Sequence, residues 1–342
     1  MAKVGVACGG ALHRHHDKEA IVPARPLACL ALEAEHPRGT SNGEATLTEN
    51  LDAELDELAA AAKRHLTRHE PITDPKWPDG ARIAVNLTAD FDAMLLRRLM
   101  NEPPMQLAKG EFGGRVGIWR MIELFDSHGI KGTIFTPGRI CELYPQALVA
   151  AAKSGHEITD HMWEHRVPKE PELERDHLTR STEALETLTG QRGVGTRSGH
   201  SHGLLRELGY IYRSNGSASH MPHYLRDPDG SNVLINLPFH YAIDDAMFYS
   251  FAWMGTPNAA QRISDPERVM DLWWEAFLQQ HATGGGYLNI CMHPFVSGRA
   301  LRMLMMDKLI TRMKEKGGVW FDTCAATARH CIAVQPPSGG WN

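Results

Sequence analysis

From residue 81 onward the chain repeats one pattern: a short run of branched apolar residues, then a segment with helical period. Residues 83–87, 133–135, 156–159, 233–237, 287–291 and 319–321 read as buried strands. Residues 117–128, 145–153, 173–188, 203–208, 266–281 and 301–316 place apolar side chains three and four apart, as helices do. Gly129 and Gly155 stand just past two of these helices, where left-handed backbone ends a helix. Strands that alternate with helices form parallel βαβ units, so the expected fold is α/β, closed or nearly closed into a (β/α) barrel.

The first 75 residues lack that rhythm. Pro23, Pro26, Pro37 and the Gly-Thr-Ser-Asn-Gly run at 39–43 mark an arm. A helix is expected over 47–66, capped by Thr48 or Asn50, with Leu51, Leu55, Leu58 and Ala62 on one face. Pro71, Pro75 and Pro78 then break the chain. The expected organisation is an N-terminal extension over 1–75, a catalytic domain over 76–333 and a tail over 334–342. No apolar run approaches the roughly 20 residues of a membrane span. A net charge of −5 without a basic block argues against nucleic acid as a partner. Six cysteines without a CxxC pair form neither a disulfide framework nor a zinc ribbon. Met1 to Ala20 carry His and charge where a signal peptide needs an apolar stretch, so the expected location is cytoplasmic.

In a barrel of this kind the chemistry sits at the C-terminal ends of the strands. Asp90 and Asp92 follow the first strand, His161 and His165 the strand ending at Thr159, and His293 the strand ending at Cys291. Arg197 lies in Gly-Thr-Arg-Ser-Gly, and Asp244 and Asp245 come soon after residue 237. His161-x-x-x-His165 places two imidazoles one helical turn apart, close enough to grip one metal ion. Among 19 His such a pair also arises by chance on a solvated face, but the Asp-x-Asp at another strand end weakens that reading. Asp92 completes a two-His, one-carboxylate set with an open position for water, typical of catalytic metal sites. Alternation in an extended segment turns Asp90 the same way as Asp92, so Asp90 is the candidate base. His293 is the candidate acid, with Asp244 or Asp245 as its partner, and Arg197 the cation that holds Asp90 ionised. Zinc is the first expectation for one divalent ion on these donors, with Co, Ni or Mn also accepted. Met162, Trp163 and His200 are candidate substrate contacts, and Met94, Phe248 and Trp253 further pocket walls.

These residues resemble the NodB-type polysaccharide deacetylase superfamily, and within it the branch of cyclic imidases, allantoinases and intracellular peptidoglycan-deacetylase-like proteins. The resemblance is carried by Leu87-Thr-Ala-Asp-Phe-Asp-Ala93, Gly110-Glu-Phe-Gly-Gly-Arg-Val-Gly-Ile-Trp-Arg120 and Gly129-Ile-Lys-Gly-Thr-Ile-Phe135. It continues through Gly155-His-Glu-Ile-Thr-Asp-His161 with His165, Gly195-Thr-Arg197, Ile243-Asp-Asp245 and Met292-His-Pro-Phe-Val-Ser-Gly-Arg299. Asp-x-Asp in place of adjacent aspartates favours the imidase branch. The resemblance implies a distorted, incomplete (β/α) barrel, hydrolysis of non-peptide C–N amide bonds, and a homo-oligomer, dimer or tetramer. It gives Asp92, His161 and His165 the ligand role, Asp90 the base, His293 the acid with Asp244 or Asp245, and Arg197 the support of Asp90. A small cyclic imide or ureide is the expected substrate. An N-acetylglucosamine-type carbohydrate is the alternative, and an inactive ligand-binding barrel the third reading. After Arg197 the chain lacks the Pro and aromatic residues usual in the family, which leaves His200 and His202 as pocket or loop residues.

Overall fold

A computed structural model describes residues 53–61, 68–99, 101, 104–216, 219–249 and 264–341. The chain divides into two compact units, 1–55 and 56–342. The sheet and the site both belong to the second. The arm and most of the helix expected over 47–66 lie outside the described residues, apart from a helix at 53–61; Trp253 also lies outside them.

The sheet is organised around two long strands. β2 (Ile83–Asp90) and β9 (Gly286–Met292) are buried along their whole length and pair in parallel from Ile83↔Gly286 to Ala89↔Met292. The other edge of β2 is shared: β10 (Val319–Phe321) pairs with its first half and β3 (Thr133–Thr136) with its second. From β3 the parallel order runs to β4 (Glu157–Asp160), β5 (Gly195–Thr196), β6 (Tyr212–Arg213) and β8 (Leu234–Asn236). β7 (His223–Leu225) and β1 (His69–Pro71) then extend the edge antiparallel. The result is the expected α/β architecture, a curled ten-stranded sheet that forms an incomplete barrel. Its seam between β8 and β9 is spanned, among the described residues, by a parallel bridge, Asp244↔Cys291, and by Asn289 Nδ2 donating to the Leu237 carbonyl at 3.4 Å.

Alternation along β2 sorts its side chains into two environments. Val85, Leu87 and Ala89 join the outer core with Ile118, Met121 and Phe125 of helix Ile118–Ser127 and Leu309 and Ile310 of helix Ala300–Lys316. Each large aliphatic or aromatic side chain buried there contributes roughly 1.5–3 kcal/mol. Asn86, Thr88 and Asp90 face the other way, into the barrel.

Several short elements had no sequence signal. Helices Leu95–Leu99, Pro104–Phe112 and Asp245–Tyr249, and the strands β6 and β7, lie where no element was expected, whereas helix His202–Glu207 falls on the helix expected over 203–208. β1 falls within residues 1–75 yet pairs with β7, and its Pro71 is tolerated because the strand is at an edge. The segment after residue 334 is tied down at two points: Tyr224 Oη donates to the Gln335 carbonyl at 2.6 Å, and Ser338 Oγ to Glu70 at 2.7 Å. Helix Cys324–Val334 was also unexpected and is capped by Thr323 Oγ1, which accepts from Ala326 N–H at 3.1 Å.

A wide helical turn at Gly113–Gly117 packs against the segment after β9. A Cβ on Gly117 would lie 2.0 Å from the Pro294 carbonyl oxygen. Gly117→Ala is expected to lower unfolding free energy by about 1–3 kcal/mol through overpacking. Chemical denaturation checks this; an unchanged midpoint would contradict the packing described.

Candidate metal and acid–base centre

Asp90 ends β2, but Phe91 N–H still donates to the Phe135 carbonyl at 2.8 Å, so the extended ladder runs one residue further. Alternation therefore turns Asp92 the same way as Asp90, while Phe91 is buried against Tyr144, ring centroids 5.9 Å apart. Asp92 is wholly buried.

The two candidate imidazoles arrive from the end of β4 by a different route from the one expected. His161 N–H donates to the Thr136 carbonyl at 3.0 Å. The chain then turns, with Met162 at φ 70° and His165 at φ 60°. A turn containing two left-handed residues, rather than one turn of helix, brings the rings together with centroids 4.7 Å apart. His161 Nε2 lies 3.3 Å and His165 Nε2 3.6 Å from the same Asp92 oxygen. Holding two non-glycine residues at positive φ costs of order 1–3 kcal/mol each, a pattern found at functional sites.

Both Asp92 carboxylate oxygens and His161 Nε2 are buried with no hydrogen-bond partner. Such groups cost free energy unless something else satisfies them. The other ring nitrogen of His161 is committed to the Arg197 carbonyl, which leaves the Nε2 lone pair aimed at the cluster. This second-tier hydrogen bond is typical of metal-ligating His. The unsatisfied atoms and the donor types together fit a divalent ion on Asp92, His161 and His165.

Electrostatics acts differently on the three groups. Burial alone would raise Asp92, but His165, His161 and His293 outweigh it and hold the carboxylate well below its usual range. Burial would likewise lower His161, yet Asp90 and Asp92 overcome it and raise the ring. For His165 burial prevails and favours the neutral imidazole, the form that binds metal.

Asp90 stands beside this triad, its Oδ2 3.8 Å from His161 Nε2 and 3.9 Å from His293 Nε2. Arg197 Nη1 donates to Asp90 Oδ1 at 2.5 Å. The guanidinium is buried and also donates to Thr88 Oγ1 at 3.1 Å, Ser214 Oγ at 2.9 Å, the Ser214 carbonyl at 3.1 Å and Cys291 Sγ at 3.2 Å. The rings of Phe135 and Phe239 lie 4.2 and 4.5 Å from its centre. Cys291 Sγ faces the second Asp90 oxygen at 3.7 Å.

His293 opens the segment after β9. Asp245 accepts the His293 backbone N–H at 2.9 Å with one oxygen and meets Nδ1 at 2.7 Å with the other. Asp244 stands 3.8 Å from Nδ1 and accepts from Ala246 N–H instead. The partner left open between the two is therefore Asp245. Burial works against a charged His293, but Asp245 and then Asp244 and Asp90 raise it to about 10. Asp244 is itself raised to about 6, first by burial.

Other expected contacts have partners of their own. Trp163 is buried, its ring 4.3 Å from the Arg180 guanidinium and 5.1 Å from that of Arg139. The Met162 carbonyl accepts from Gly138 N–H at 2.9 Å. His200 Nδ1 pairs with Glu174 at 3.1 Å, and His202 stands between Arg213 and Asp227. A cleft of about 590 Å³ reaches Arg197 and is lined by Ser198, Arg213, Asn215, Phe239 and His240, among others. Asp90, Asp92, His161, His165 and His293 are not among its lining residues.

Thr88, Ser214, Asn289 and Cys291 were not anticipated. A signal for three of them was present: Asn86, Thr88 and Asp90 alternate along β2, and Tyr287, Asn289 and Cys291 along β9. Polar residues at every second position of an otherwise apolar strand mark the face turned into the barrel.

Known proteins share parts of this sequence and this fold. The family described as polysaccharide deacetylase matches residues 113–207. A Helicobacter pylori peptidoglycan deacetylase is 25% identical over 251 residues, spanning 64% of this chain and 84% of that protein. A Mycobacterium smegmatis structure, provisionally described as a polysaccharide deacetylase, superposes with a TM-score of 0.69 at 29% identity, covering 78% of this chain and 94% of that one. The allantoinase PuuE superposes at 0.67 with 22% identity, covering 78% and 95%, which speaks to fold alone.

Proposed function

We propose, on the premise that this chain carries a NodB-type polysaccharide deacetylase domain, that it hydrolyses a small cyclic imide or ureide with a metal ion and a carboxylate–imidazole pair. The observation that carries the reading is the set of unsatisfied buried atoms on Asp92 and His161, set beside Asp90 and His293. When bound to Asp92, His161 and His165, a zinc ion (or Co, Ni or Mn) supplies Lewis acidity to water and to the substrate carbonyl.

The chain's own residues supply the proton transfers. Asp90 takes a proton from the attacking water, and Arg197 holds the other Asp90 oxygen in place. Water oxygen bonds to the carbonyl carbon, the C–N bond breaks, and the leaving nitrogen takes a proton from His293 Nε2. Asp245 holds Nδ1–H and so fixes which nitrogen faces the substrate.

A second reading, deacetylation of an N-acetylglucosamine-type carbohydrate, is favoured by the identity to the Helicobacter pylori peptidoglycan deacetylase across most of its length. The two separate in one experiment: zinc-loaded protein is given a cyclic-imide panel and, in parallel, chitooligosaccharides. Ring opening supports the first reading; acetate release without ring opening replaces it with the second.

The His293–Asp245 pair also predicts a pH dependence. A His raised in the folded state stabilises it fully below its unfolded value near 6.5, and that contribution is lost as pH climbs towards about 10. Metal-free protein should therefore lose stability between about pH 6.5 and pH 10, and Asp245→Asn should flatten the slope. Urea midpoints across that range check it; parallel slopes in the two proteins would contradict the pairing.

A further inference from the structure

A second concentration of charge lies near His293 and takes no part in the chemistry above. Arg97, Lys109, Arg299 and Arg302 line a cavity of about 310 Å³ together with Tyr249, Phe295 and Val296. Among the described residues no carboxylate lines it. The four cations come from three separate helical segments: Leu95–Leu99, Pro104–Phe112 and the start of Ala300–Lys316.

Arg97 and Lys109 each have an interacting partner, and aromatic rings stand against Arg97, Arg299 and Arg302. The Arg302 guanidinium lies 4.3 Å from the Tyr249 ring and donates to the Val296 carbonyl at 2.7 Å. That of Arg299 lies 3.6 Å from the Phe112 ring, and that of Arg97 5.0 Å from the Phe295 ring. Burial, then the Arg302 and Arg120 charges, lower the pKa of Arg299. Arg302 is lowered too, by burial, although Asp245 and Tyr249 pull the other way. Arg299 is also the N-cap of helix Ala300–Lys316, makes no side-chain cap bond, and is followed by no acidic residue in the first turn. Arg299, exposed, and Arg302, half-buried, thus stand together at the positive end of a helix dipole.

We propose that this cavity binds a small oxyanion, a carboxylate or phosphate group, at a site separate from the metal centre. Guanidinium groups suit it because their planar forks bind such oxygens two at a time. The Phe295 ring that lines the cavity lies 5.7 Å from the His293 ring, so a bound anion sits about one side chain from the candidate acid. The site does not depend on which amide is hydrolysed, or on whether any is.

The test is calorimetric titration of the full chain, chelator-treated so that no metal ion can capture the anion. Inorganic phosphate is one arm and succinate the other, both at low ionic strength. Saturable binding of at least one is expected, weakened by about tenfold or more in Arg299→Gln and again by added salt. Arg302→Gln is the second variant, and circular dichroism confirms that each is folded. The preferred arm tells phosphate from carboxylate. Saturable binding of neither anion, or affinities unchanged in both variants, would overturn the proposal. Imide hydrolysis failing in the wild type would leave it standing.

Discussion

His161→Ala should abolish turnover and metal retention together while leaving the protein folded. His161 touches three parts of the site: its Nε2 faces Asp92 at 3.3 Å, lies 3.8 Å from Asp90, and its Nδ1 is held by the Arg197 carbonyl. Losing a second-tier partner of a metal ligand typically costs 10–100-fold. Removing a donor itself should exceed that, so a loss of about a thousandfold or more is expected. The folded state should survive because His161 carries no outer-core packing; its removal even relieves an unsatisfied buried nitrogen. Metal content and turnover of the purified variant check the claim. Full activity would remove His161 from the site.

Arg197→Met should have the largest effect on stability. Arg197 is the buried cation opposite Asp90, with hydrogen bonds to Thr88 and Ser214 and two aromatic rings about it. Removing one partner of a buried ion pair leaves the other charged and unpaired, a loss of about 3–5 kcal/mol. Arg197→Lys should recover little, because a single ammonium cannot meet acceptors spread over three residues. Adding Asp90→Asn to Arg197→Met should recover part of the loss, since the stranded carboxylate is gone. Denaturation of the two single variants and the double variant measures the coupling. A loss under about 1 kcal/mol for Arg197→Met would place the pair among weak surface contacts.

The long strands and helices were legible because each carries enough residues to show a period. β2 and β9 are runs of branched apolar residues, and Pro145–Lys153 begins and ends where proline and glycine punctuation places it. β5 and β6 are two residues each, too short for any period to show, and β1 reads His-Glu-Pro. The acidic and His residues stood out because they fall at strand ends, the part of a barrel that faces a ligand. How His161 reaches His165 was not legible. The positive φ angles fall on a Met and a His, neither of which announces left-handed backbone as glycine does. The choice between Asp244 and Asp245 was settled by register. Asp244 bridges Cys291, which sets Asp245 against the backbone and ring of His293. Among the described residues no helix is long and apolar enough to cross a membrane.

The measurement that bears most directly on the account is hydrolysis of the cyclic-imide panel by the same preparation before and after chelation, with zinc then restored. Ring opening that disappears with the metal and returns with zinc is the predicted result. Ring opening undiminished in protein shown to be metal-free would contradict the central claim that Asp92, His161 and His165 hold the ion on which the reaction depends.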